Sequence, residues 1–144
     1  RTFEAASYLK KSGADTVEVK KLFNSDIKDF ITKAEIIQNA KVLNNNICLA
    51  YTRTEANNIN IVIAQAADEL LNVKEVEASF VLGKKDDRVF ISARSLGNIN
   101  VHVLMEKLGG GGHRDMAGAQ LDTSLEKAYE MVKDTIQTYL KEEE

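Results

Sequence analysis

Apolar residues recur along this chain with two periods, and the change from one to the other falls near Asn44–Asn46. Before it the spacing is helical. Arg1–Lys11, with Phe3, Ala6, Tyr8 and Leu9, predicts a helix that Ser12-Gly13 ends, Gly13 acting just beyond its last turn. Val17–Phe23 predicts a short second helix, capped by Asp15 or Thr16. Asp26–Val42 predicts a third, capped by Ser25, with Asp26 and Asp29 in its first turn and a stripe of Ile27, Phe30, Ile31, Ala34, Ile37 and Val42.

Beyond the asparagine turn, strands and helices alternate. Ile47–Arg53 reads as a short apolar strand, and Asn58–Leu71 as an amphipathic helix with Ile59, Val62, Ile63, Ala66, Ala67, Leu70 and Leu71 in register. Val76–Lys84 and Arg88–Ser95 alternate with period two around Lys85-Asp86-Asp87, a hairpin signal. Asn100–Leu108 predicts a helix that runs into Gly109–Gly112, and Ala117–Leu121 a last strand. Leu125–Leu140 closes the pattern as a helix capped by Thr123 or Ser124, with Glu126 in its first turn and Glu142–Glu144 as a frayed acidic tail. The sum is an all-helical leader of residues 1–42, then an α/β domain over 43–144 whose mixed β-sheet is flanked by helices.

Composition narrows the function classes. With 144 residues, 44% apolar and 28% charged, the chain can bury one core. A net charge of −3 disfavours a sequence-independent grip on long nucleic acid, which requires a basic face. It leaves room for a small phosphate ligand held by a few placed groups. The single cysteine, Cys48, lies in an apolar strand and reads as a small core residue of a reducing compartment. A start at Arg1 without Met reads as a segment cut from a longer protein.

Gly109–Gly112 followed by His113 is the most specific chemical signal. Glycine in a regular element is disfavoured by roughly 0.5–1 kcal/mol relative to alanine, so a run of four implies a task for the backbone itself. One such task is a nest of converging N–H groups that holds an anion, with His113 at its rim to meet a phosphate oxygen or handle a proton. Period-two alternation puts Ser92 and Arg94 on one face of their strand, where a guanidinium offers paired donors to phosphate. His102 reads as an ordinary helical histidine. Arg114 and Asp115 read equally as ligand contacts or as solvated neighbours. Asn57, Asn58 and Asn60 are candidates for base contacts, with helix capping as the plainer reading. No HExxH, CxxC, GxGxxG, P-loop or GxSxG pattern is present, and no complete metal site is legible.

Gly109–His113 with Ala117-Gly118 resembles the Gly-Gly-Gly-His…Ala-Gly signature of the DHH-associated type 1 domain, the C-terminal half of DHH-superfamily phosphoesterases. Ser92-x-Arg94 is similar to that family's strand motif upstream of the glycines. Gln65–Leu70 and Val76–Phe80 look most like the GdpP/YybT type, membrane-bound bacterial phosphodiesterases that hydrolyse cyclic-di-AMP. Arg1–Ala6 resembles the end of the preceding DHH domain, and the helix from Asp26 its connector.

The resemblance implies a two-lobed enzyme. Its DHH lobe would hold two Mn²⁺ ions, and this lobe would bind substrate through Gly110, Gly111, Gly112, His113, Arg94 and Ser92, with His113 assisting at the leaving oxygen. No Asp-His-His motif occurs in the chain, so no metal or other cofactor is expected here and the isolated chain is expected to be inert. Met116-Ala117 stands where the family often has two alanines. The partners implied are a cyclic dinucleotide or short oligonucleotide and the DHH lobe. No membrane contact is expected from this segment, and the parent would be anchored to the membrane with this part in the cytoplasm. An oligoribonuclease or nucleotide phosphatase lobe of the same superfamily, a non-enzymatic RNA-binding module, and a homodimer contact through the leader and last helix are the alternatives.

Overall fold

The computed structural model of the protein describes the backbone of residues 16–143 and side chains from Ile27 to Glu143. Two compact units, Arg1–Ile31 and Thr32–Glu144, make up the chain. The helix expected over Arg1–Lys11 lies outside the described residues.

Helix α1 runs unbroken from Thr16 to Asn39. This corrects the expectation of two helices: Ser25 sits within α1 rather than capping a new helix. It also ends before Val42. The Asn39 side chain accepts from Tyr51 N–H at 3.2 Å and donates to the Tyr51 carbonyl at 2.7 Å, and the chain then turns back as β1, Lys41–Leu43. The expected stripe is corrected as well. Ile27, Phe30, Ile31, Ile37 and Val42 are exposed, and Ile36 is the fully buried apolar side chain of this stretch.

A 3-10 turn at Asn44–Asn46 follows, in which Asn45 and Asn46 adopt φ of 62° and 60°, a left-handed conformation that asparagine tolerates. Then come β2 (Ile47–Thr52), α2 (Ile59–Leu71), β3 (Ala78–Lys85), β4 (Arg88–Ser95), α3 (Val101–Lys107), β5 (Gly111–Gly112), β6 (Met116–Leu121) and α4 (Leu125–Glu142). The sheet order is β1-β2-β3-β4-β6-β5. Only β2 and β3 run parallel, joined by the α2 crossover; every other pairing is antiparallel. This is the α/β mixed sheet flanked by helices that the alternation of periods predicts.

The period-two alternation divides the strands between two cores. Ile47, Leu49, Phe80, Leu82, Val89, Ile91, Ala117 and Ala119 face α3 and α4. Cys48, Ala50 and Val81 face α2, which buries Ile59, Val62, Ile63, Ala66, Ala67 and Leu70. Against this second face Gly83 leaves the space α2 occupies, since a Cβ there would lie 2.7 Å from Ile59. Helices α3 and α4 are capped by side chains just before their first turns. Ser124 accepts from Lys127 N–H at 3.1 Å, and Asn100 accepts from the N–H groups of His102 and Val103 at 3.1 and 3.3 Å. Asn100 is thus the cap of α3 rather than its first residue, and Glu142 belongs to α4 rather than to a frayed tail.

Candidate functional site

Helix α2 covers one face of β3 and part of β4 but stops short of β6. An open cleft of about 690 Å³ remains on that face. Its floor is set by register. Residues of even number on β4 point into it, and β6 answers them in pairs: Ser92 faces Gly118, Phe90 faces Gln120, and Arg94 faces Met116 just beyond the cleft's end. Asn60 of α2 stands on one side, and Gly109 and Gly110 on the other. Arg88 and Asp122 close the far end, with Arg88 Nε 3.2 Å from Asp122 Oδ1.

The tetraglycine is explained largely by packing. Gly109 ends α3 with φ of 85°, and its N–H donates to the Glu106 carbonyl at 3.0 Å. Gly110 donates to the Met105 carbonyl at 2.8 Å and presses against β6, where a Cβ would lie 2.1 Å from the Gly118 carbonyl oxygen. Gly112 has φ of 146°, and a Cβ on it would meet Ala117 Cα at 2.5 Å. Gly109 and Gly111 have open space where a side chain would be, and of the two only Gly109 has a positive φ. The His113 N–H donates to the Met116 carbonyl at 2.7 Å across the turn between β5 and β6. The amides of Gly109, Gly110 and His113 are therefore already engaged, and a nest made from the whole run does not form. The glycines instead let a short strand lie against β6.

The remaining candidates separate accordingly. Ser92 and Gly110 line the cleft. Gly111, Gly112 and the exposed His113 lie on the adjoining hairpin. Arg94 continues the β4 row; its Nε donates to Asp68 Oδ1 at 2.9 Å and its Nη1 to the Ala93 carbonyl at 3.0 Å. Arg114 is committed to the Gly97 carbonyl at 2.9 Å, and His102 pairs with Glu106 one helical turn away at 2.8 Å, as an ordinary helical histidine does. Asn60 lines the cleft, whereas Asn57 gives its carbonyl to Lys85. Asn58 supplies the carbonyl that accepts the N–H groups of Ile61 and Val62 at the start of α2.

Arg88, Gln120, Asp122 and Asp68 are the site residues that sequence reading missed. The signal for Arg88 was present: one more step of two back from Phe90 puts it on the same face. Among the described residues, no three His, Cys, Asp or Glu side chains converge as metal ligands would.

Fold and cleft together define a small α/β lobe with an open, polar cleft on one face of its sheet, and the chain belongs to the DHHA1 domain family, which it matches over residues 44–142. Among full-length relatives it is 44% identical over 141 residues to the cyclic-di-AMP phosphodiesterase GdpP of Geobacillus thermodenitrificans, covering 96% of this chain and 21% of that protein. It is 40% identical over 145 residues to the cyclic-di-AMP phosphodiesterase PdeA of Listeria monocytogenes, covering 99% of this chain and 22% of that protein. The fold is shared with an exopolyphosphatase-related protein from Bacteroides fragilis, with a TM-score of 0.70 at 21% identity over 96% of this chain and 43% of the other. The chain thus spans about a fifth of the length of the relatives it matches.

Proposed function

We propose that this chain is the substrate-binding lobe of a phosphodiesterase that opens cyclic-di-AMP to linear pApA. The observation that carries this reading is the floor of the β4–β6 cleft, where the Ser92 hydroxyl faces side-chain-free Gly118 and Arg94 continues the same row. A serine hydroxyl and a guanidinium on one sheet face are charge-assisted donors of the kind that hold a phosphate. Similarity to two cyclic-di-AMP phosphodiesterases over nearly the whole chain supports the choice of substrate.

Within this lobe Arg94 orients the phosphate, Ser92 donates to a non-bridging oxygen, and the exposed His113 reaches over the hairpin toward the leaving oxygen. The described residues do not fit a two-metal centre. Two Mn²⁺ ions held by a DHH lobe of the parent protein would supply the activated water. The parent is membrane-anchored on this reading, with the lobe in the cytoplasm. No described helix is long and apolar enough to cross a membrane.

Calorimetric titration of cyclic-di-AMP and pApA into the chain and into Arg94→Ala and His113→Ala tests the reading. Saturable binding that weakens about tenfold on loss of Arg94, the scale of one hydrogen bond to a charged group, is the expected result. Equal affinity in wild type and Arg94→Ala would refute it.

A further inference from the structure

The face of the sheet turned away from the cleft carries another cavity, of about 580 Å³, which shares no lining residue with the cleft. Tyr51 and Arg53, at and just beyond the end of β2, form one wall, and Glu126, Tyr129 and Glu130 of the first turns of α4 form the facing one. The segment from Gln38 to Lys41 closes a third side, held there by the Asn39 side chain on the Tyr51 backbone.

The rings of Tyr51 and Tyr129 meet edge to face, with centroids 5.7 Å apart and planes at 83°. Aromatic faces are negative, so such a corner attracts cations and repels anions. The chain itself shows what the corner accepts. Arg53 lays its guanidinium over the Tyr51 ring, 5.6 Å from the centroid, and donates from Nη1 to Glu126 Oε1 at 3.0 Å. One helical turn further along α4 the same pairing of ring and acid recurs. Tyr129 and Glu130 both line the cavity, and Glu130 lies four residues after Glu126 on the same helix face. Among the described residues Glu130 has no ion-pair partner. Burial, the neighbouring Tyr51 and the Glu130 carboxylate push the Tyr129 hydroxyl above its ordinary value, so the ring stays neutral beside the acid.

We infer that this cavity is a binding site for an alkylguanidinium, which takes at Tyr129 and Glu130 the place that Arg53 takes at Tyr51 and Glu126. The cation stacks on the Tyr129 ring and donates to Glu130, and its aliphatic stem lies on Leu125 and Ala40 at the cavity wall. A planar, weakly hydrated guanidinium suits ring face and carboxylate together better than a compact, strongly hydrated ammonium does. Lys41 also lines the cavity and is the group that an anionic ligand would use instead. Because the two cavities have no residue in common, this site stands or falls independently of the phosphate reading of the cleft.

The test follows the ring signals of Tyr51 and Tyr129 by NMR at one salt concentration. The chain is titrated with Nα-acetylarginine amide, with the neutral Nα-acetylcitrulline amide of the same shape, and with methylguanidinium. Saturable shifts with the arginine compound and none with the citrulline compound are expected. Glu130→Gln and Tyr129→Leu should each weaken the arginine compound about threefold, the scale of one exposed ion pair or one cation–π contact. Lys41→Ala should leave its affinity unchanged or raise it. Glu130 is exposed, so its replacement leaves the fold intact, and circular dichroism checks the same for Tyr129→Leu. Methylguanidinium lacks the stem and separates two sources of the same chemistry: equal affinity points to a free guanidino compound, weaker binding to an arginine side chain of a partner protein. Equal shifts with arginine and citrulline compounds, an affinity that Glu130→Gln does not change, or no saturable shift at all would overturn the inference. So would ring shifts with inorganic phosphate that Lys41→Ala abolishes.

Discussion

At the residue scale the tetraglycine separates into positions with different tasks. Gly110 and Gly112 are held against the β6 backbone with no room for a Cβ, and Gly112 also needs a positive φ. Gly111 meets neither constraint. Alanine at Gly110 or Gly112 should therefore lower stability by about 1–3 kcal/mol, the range of overpacking, whereas Gly111→Ala should stay within about 0.5 kcal/mol of wild type. Urea midpoints of the three variants check this, and equal losses at all three would contradict it. Cys48 is a second residue-scale case. Burial pushes its thiol up from its ordinary value, so the native state holds the proton more tightly than the unfolded chain does. The contribution is fully present below the unfolded pKa and is lost as pH rises above it, so stability should decline through about pH 9 and beyond. Unfolding curves for wild type and Cys48→Ala at pH 7 and pH 10 should show a smaller decline in the variant.

At the element scale α3 ties the glycine hairpin to the core. Asn100 caps it with two bonds, its own N–H donates to the Tyr139 hydroxyl of α4 at 3.0 Å, and the last turn of α3 accepts the N–H groups of Gly109 and Gly110. Removing the cap with Asn100→Ala should lower stability by about 1–2 kcal/mol and speed amide exchange at Gly109 and Gly110 more than in β3. Uniform exchange across both would show that α3 and the hairpin are not coupled in this way. Elements of this kind were legible in the sequence because their apolar period is local: α2, β4 and α4 read off directly. The end of α1 was not, because it is fixed by an Asn39 side chain gripping Tyr51 twelve residues later. The role of the glycines was hidden for the same reason. Their neighbour, β6, follows in sequence, but the absence of room beside it is a property of the folded pair. Ser92 and Arg94 were legible as one face by alternation, while Asp68 and Asp122, which orient the two arginines, come from elements whose approach no spacing rule reveals.

At the scale of the whole molecule, the charge distribution distinguishes a nucleotide site from a nucleic-acid surface. The chain is acidic in balance, and both arginines of the cleft row are carboxylate-paired. Ligand affinity should fall only gently with salt, with a slope that reflects one or two phosphate contacts, where an RNA-binding module would show a steep one. The chain should also leave cyclic-di-AMP intact in the presence of Mn²⁺, because the described residues bring no set of metal ligands together. Sustained turnover by highly purified chain would overturn that expectation.

Phosphate binding on the β4–β6 floor, as proposed, can be mapped residue by residue from amide chemical shifts during titration with pApA. The largest shifts should fall at Ser92, Arg94, Gly110 and Gly118, and they should disappear in Arg94→Ala. The cavity of about 580 Å³ lined by Tyr51, Arg53 and Tyr129 lies on the opposite side of the sheet. Shifts centred there, with the β4–β6 floor silent, would place the phosphate site elsewhere and overturn the proposed role of Ser92 and Arg94.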